Sequence, residues 1–221
     1  MEKEEHKKVV CLADNQDITR AGMQYVMEKS IKEAEYHRTV DKAELVEQLK
    51  QWPEAIVVID FTLFDIIDVE ELQILATRFP DARWIMFSVD LTTDFVRRLI
   101  ANGSRFSILL KESSMHEITE CVRYVGSGQR YICQRMTEIL LAPTEQPVAE
   151  EVKLTPTETE VLKDIALGLT TREIAEKRFS SFHTINTHRK NIFRKLGVNS
   201  VHEATKYALR AGLVDAAEYY I

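Results

Sequence analysis

The chain has 221 residues with 35 Asp and Glu against 29 Lys and Arg, a formal net charge of −6, and its length fits two domains better than one. Three cysteines, Cys11, Cys121 and Cys133, are odd in number and lack CxxC spacing, which argues against a disulfide framework or a zinc site and for buried thiols. No apolar run approaches the length of a membrane span and nothing before Val9 reads as a signal peptide, so the expectation is a cytoplasmic protein without a membrane partner.

Short apolar runs alternate with helical patterns through the first half. Val9–Ala13, Ala55–Ile59, Trp84–Phe87 and Phe106–Leu110 are continuous enough to be strands buried on both faces, and the weaker run Ala34–Val40 supplies a fifth. Between them Ile18–Lys29, Lys42–Gln51, Val69–Arg78, Thr93–Ala101 and Met115–Val125 read as amphipathic helices. This alternation predicts an α/β doubly wound, five-stranded parallel sheet, with a ligand site at the carboxyl ends of its strands. No GxGxxG follows the first strand and there is no P-loop, so a nucleotide role has no support and the chain is not read as an enzyme.

At those strand ends stand Asp14 and Asn15, Asp60, Ser88 and Lys111. Two carboxylates, an amide, a hydroxyl and an ammonium suit a hard cation and a phosphoryl group. The arrangement resembles the receiver domain of bacterial response regulators, from Val9 to about Ile132. The resemblance implies Asp60 as phosphoryl acceptor, Asp14 and Asp60 as ligands of a weakly held Mg²⁺, Ser88 as the phosphate-sensing hydroxyl and Lys111 as charge partner of the acceptor. The chain departs from that pattern in three places. Asn15 replaces the second carboxylate of the acidic pair. Ile108 takes the place of the switch aromatic. The loop Phe61–Ile67 is apolar, as if to lid the pocket or to face a partner protein.

The stretch Ala142–Glu151, with two prolines and no apolar periodicity, reads as a linker. The domains are therefore expected at 1–133 and 152–221, with a helical extension and linker at 134–151. From residue 152 onward eleven Lys and Arg face eight Asp and Glu, a net of +3, and the first 151 residues carry −9. A small basic half beside a large acidic one suits binding to a polyanion through the former.

In that basic half Thr155-Pro-Thr-Glu158, Thr170-Thr-Arg-Glu173 and Ser200-Val-His-Glu203 have the spacing of capping boxes, and Gly168 and Gly212 fall where helix-ending glycines do. Val161, Leu162, Ile165 and Ala166 form one apolar face, and Ile174 and Ala175 another. None of these short helices would hold alone, so they must share one core. The next helix is capped at Ser181, has a stripe of Ile185, Ile192, Phe193 and Leu196, and lies in a stretch from Phe179 to His202 that contains no acid. Asn186, Thr187, Arg189 and Lys190 are expected to face outward, where amide, methyl and cationic groups can read base edges in a major groove.

Leu154–Leu162, Gly168–Ala175 and Thr184–Ile192, followed by Arg194–Val198, resemble the DNA-binding domain of the LuxR/NarL family. The resemblance implies a small all-α, four-helix helix-turn-helix module acting as a homodimer on double-stranded DNA. By position, Asn186, Thr187 and Lys190 would face base edges, and Thr184, Arg189 and Lys195 would lean towards phosphates. Asn186 stands where many members carry Lys. The reading preferred from sequence is a sequence-specific transcriptional regulator whose receiver-like half is not controlled by ordinary aspartyl phosphorylation. One alternative is a phosphorylation-activated two-component regulator using Asp60, with a sensor kinase as partner. The other is a protein-interaction module without DNA binding. The fourth-helix, last-strand and fifth-helix face, with Arg97, Arg98, Glu117 and Arg123, is the expected place for a dimer contact.

Overall fold

The computed structural model describes residues 7–66, 68–89, 91–101, 105–142, 154–198 and 201–214. The chain divides into two compact units, one of Met1–Ile66 with Leu72–Ala142 and the other of Ile67–Glu71 with Pro143–Ile221. Among the described residues no helix is long and apolar enough to cross a membrane. The expected linker lies almost wholly outside the described residues, as does the cap of the third expected box, Ser200.

The five expected strands form one parallel sheet in the order β2-β1-β3-β4-β5. They are β1 (Lys8–Ala13), β2 (Ala34–Arg38), β3 (Ile56–Ile59), β4 (Arg83–Ser88) and β5 (Phe106–Leu110). Every residue of β3 and β5 is buried, as strands covered on both faces require. β2, the most polar, takes an edge and is half-buried along most of its length. The connecting helices are α1 (Asp17–Ser30), α2 (Lys42–Gln51), α3 (Val69–Arg78), α4 (Thr93–Ala101) and α5 (Met115–Gly126). Their bounds fall within a residue or two of the sequence reading. Asp41 and Ser114 start α2 and α5 by accepting from the amides of Glu44 and Glu117.

Two features of this unit differ from expectation. The apolar loop after β3 is no exposed lid. Phe64 and Ile66 are fully buried, and the Phe61 ring packs on Phe95 with centroids 4.3 Å apart. Six consecutive residues with this much apolar surface gain more from the core than from solvent. The chain after α5 also folds back on the sheet. Ile108 N donates to Tyr131 O at 2.8 Å and Cys133 N to Ile108 O at 2.9 Å, so this segment occupies the outer edge of β5.

Helix α6 (Gln134–Leu141) follows, clamped at both ends by charges of the expected dimer face. The Glu117 carboxylate accepts from Gln134 N at 3.0 Å, and Arg97 Nη2 donates to Leu140 O at 3.5 Å. An anion at the first turn and a cation at the last both complement the helix dipole. Two of the four charges proposed for a partner surface thus serve the chain's own α6, and a third, Arg123, pairs with Glu120. Cys11, Cys121 and Cys133 are free and buried. Burial pushes the Cys11 and Cys121 thiols up to about 12, so both are inert near neutral pH.

The second unit holds α7 (Pro156–Ala166), α8 (Thr171–Lys177), α9 (Phe182–Leu196) and α10 (Val201–Arg210). Thr155 and Thr170 complete their capping boxes with Glu158 and Glu173, and Pro156 fills the first turn of α7. Gly168 at φ +83° reverses the chain after α7. One core unites Val161, Leu162, Ile165, Ile174, Ile185, Ile192, Phe193, Ala204 and Ala208, with Leu196 packed against it.

Candidate functional site

The topology sets the carboxyl ends of β1, β3, β4 and β5 side by side, which brings Asp14, Asp60, Ser88 and Lys111 into one pocket. Asp60 is fully buried and Asp14 nearly so. Lys111 Nζ lies 2.6 Å from Asp60 Oδ2 and 2.9 Å from Asp14 Oδ2, and donates to Gln16 Oε1 at 2.8 Å. One ammonium thus serves two carboxylates. The other oxygen of each carboxylate accepts a backbone amide, Gln16 N at 2.7 Å for Asp14 and Thr62 N at 2.9 Å for Asp60. Ser88 is buried, and its hydroxyl accepts from Phe61 N at 2.9 Å, tying β4 to the loop after Asp60.

Asn15 sits at the rim, where its Nδ2 donates to Leu63 O at 3.0 Å. The missing carboxylate is therefore replaced by a tie between two loops. The cluster keeps one uncompensated negative charge. Two carboxylates suit a hard divalent cation that retains most of its waters, although Lys111 competes for the same oxygens. Among the described residues no group of three or more His, Cys, Asp and Glu is placed to hold a metal. Ile108, at the expected switch position, is fully buried and held through its backbone by Tyr131 and Cys133. Sequence reasoning missed Gln16, whose place between Asp14 and α1 is the only signal it offers, and Arg20, whose Nη1 donates to Asp14 O at 2.9 Å.

In the second unit α9 presents Thr184 exposed and Thr187 and Lys190 half-buried. Asn186 and Arg189, expected to face outward, are only 2% and 3% exposed. Arg189 lies one turn from Ile185 and from Ile192 and Phe193, and Asn186 two turns before Phe193, so both share the side of the buried stripe; Asp68 and Glu71, of a segment that clusters with this unit, also act on Arg189. Burial pulls the Arg189 guanidinium down to about 10, still charged at neutral pH.

Lys195 is also not free, because its Nζ meets Glu158 Oε2 at 2.6 Å. The carboxylate that caps α7 thereby holds α9 as well. Asp164, 2% exposed, does the same for α8, accepting Lys177 Nζ at 2.7 Å and Arg178 Nε at 2.5 Å. These two ties across helices were not legible in the sequence. Burial pushes the Glu158 carboxyl up, but hydrogen bonds from Lys195 and Thr155 outweigh that and hold it below its ordinary value.

Residues 152–208 match the family described as bacterial regulatory proteins, luxR family. Over nearly its whole length the chain is similar to the response regulator GacA of Pseudomonas protegens, with 27% identity over 214 residues covering 94% of this chain and 98% of that one. The response regulator UvrY of Escherichia coli is 29% identical over 218 residues, covering 94% and 96%. Among solved structures, RcsB from Salmonella enterica serovar Typhimurium, bound to the promoter rprA in the presence of phosphomimetic BeF3-, matches with a TM-score of 0.52 and 20% identity, covering 92% and 99%. With the parallel sheet and its acidic pocket ahead of the matched segment, the chain is similar to response regulators over nearly its whole length, and its residues 152–208 match the luxR family of bacterial regulatory proteins.

Proposed function

We propose that the chain is a sequence-specific, DNA-binding transcriptional regulator that works as a homodimer, with 1–133 as its regulatory domain and 152–221 as its DNA-binding domain. The observation that carries this reading is α9, an acid-free helix seated on α7 and α8 through a buried stripe and tied to α7 by the Lys195–Glu158 ion pair, with Thr184 exposed and Thr187 and Lys190 half-buried. Thr187 and Lys190 suit base edges and Thr184 a phosphate. Asn186 and Arg189 are buried and Lys195 pairs with Glu158. That RcsB was solved on a promoter supports the reading.

Control of the regulatory domain is proposed to run by a route other than ordinary aspartyl phosphorylation. Supporting this are Asn15 in place of a carboxylate, and Ile108, a side chain without a ring, whose backbone N and O are both bonded to the segment Tyr131–Cys133. A second reading, phosphorylation of Asp60, is favoured by the convergence of Asp14, Asp60, Ser88 and Lys111 and by the names of the relatives. In that reading Asp14 and Asp60 would hold Mg²⁺, which supplies charge neutralisation for the phosphoryl group. Lys111 would stabilise the modified Asp60, and the Ser88 hydroxyl would report its charge.

Titration with Mg²⁺ and beryllofluoride, followed by sedimentation and DNA affinity, separates the two, with Asp60→Asn as control. No change in dimerisation or DNA affinity is expected. Tighter association and binding in the wild type, absent from the variant, would establish the Asp60 route instead.

A further inference from the structure

At the amino-terminal edge of the sheet, opposite the acidic pocket, a cleft of about 340 Å³ opens between the starts of β4 and β5 and the turn after α5. Arg83, Arg105 and Arg130 line it with Ser107, Gly128 and Gln129, and among the described residues no carboxylate does. Three guanidiniums around one cavity repel each other, and they stand on a half of the chain whose net charge is −9.

Helix capping does not account for them. The last carbonyls of α5 already accept from Ser127 N, Gly128 N, Gln129 N, Lys8 Nζ and Ser127 Oγ, and of the three arginines Arg83 alone is seen to add to this, with Nη1 donating to Val125 O at 3.1 Å. That bond fixes the Arg83 fork. Arg105 makes one long ion pair, its Nη1 lying 3.8 Å from Asp81 Oδ1, and Arg130 has no ion-pair partner among the described residues. Ser107 is buried; its Oγ accepts from Tyr131 N at 3.0 Å, which leaves its own proton to donate.

We propose that this cleft binds a compact phosphoryl oxyanion of the pyrophosphate class. The volume lies at the lower end of small-molecule sites, and planar guanidinium forks match phosphoryl oxygens in pairs. Among the described residues no aromatic ring lines the cleft to stack on a base or a flavin, which favours a small, highly charged ligand. Because Ser107 also holds Tyr131, an anion here braces the segment that covers β5.

The full chain is titrated calorimetrically with inorganic pyrophosphate at fixed ionic strength, and the Arg105→Gln/Arg130→Gln double variant is measured beside it. Both side chains are exposed, so wild-type melting is expected of the variant. The basic C-terminal unit offers a second place for the anion, so amide chemical shifts of Gly128 and Gln129 locate the binding. Saturable shifts there, and an affinity at least about tenfold weaker in the variant, are expected from the loss of two charge-assisted contacts. Unmoved Gly128 and Gln129 amides, or full affinity in the double variant, would overturn the site. Equal binding of malonate would overturn its assignment to phosphoryl groups.

Discussion

An ammonium shared by two buried carboxylates, as Lys111 is by Asp14 and Asp60, offsets charges that the interior would otherwise hold at high cost. Lys111→Met leaves both carboxylates buried without a counter-ion. It is expected to destabilise the N-terminal domain by ~3–5 kcal/mol, read from urea unfolding, with Asp60→Asn in the same background recovering part of the loss. A loss under ~1 kcal/mol would place the pocket in the range of solvated surface pairs. Asp14, Asp60, Ser88 and Lys111 were legible because each follows an apolar run, and a parallel sheet aligns the ends of such runs. Gln16 and the double duty of Lys111 were not, since they depend on side-chain reach across loops. The burial of Arg189 was legible in principle, because its spacing from Ile185 and Phe193 was in view. Its charge drew the reading outward.

The helices of the C-terminal domain show how one side chain can set both a start and an angle. Glu158 closes the capping box of α7 and holds Lys195 of α9, which fixes the two helices to each other. Its carboxyl is held below its ordinary value of 4.5. The stability it contributes is therefore complete above that value and lost as pH falls through the lower, folded one. Melts of the protein from neutral to acid pH should show the C-terminal transition weakening below about pH 4.5, the ordinary glutamate range. Glu158→Gln should remove that part of the slope and cost ~1–3 kcal/mol at neutral pH, as loss of a buried hydrogen-bonded charge does. An unchanged slope would assign the acid sensitivity to other carboxylates. Capping boxes are readable because they are local, whereas the ties of Glu158 and Asp164 to other helices exist only once the core has formed.

Across the whole molecule net charge is segregated, −9 in the first 151 residues and +3 in the rest, which suits a long polyanion such as a duplex to the latter. Lys190→Ala is expected to weaken binding to a specific operator by ~1–3 kcal/mol with little effect on unrelated duplexes. An equal loss on both, with the salt slope reduced by about one, would make Lys190 a phosphate contact only. The order of elements was legible throughout because apolar period changes sharply between strand and helix. The return of the chain along β5 was not, since three residues of irregular sequence carry no periodic signal. That return has a consequence for assembly. A sheet with two bare margins can recruit foreign strands on either side, a route to uncontrolled polymerisation. Here Tyr131–Cys133 covers the middle of one margin at Ile108, and among the described residues β2 is the barer margin for a strand from another chain.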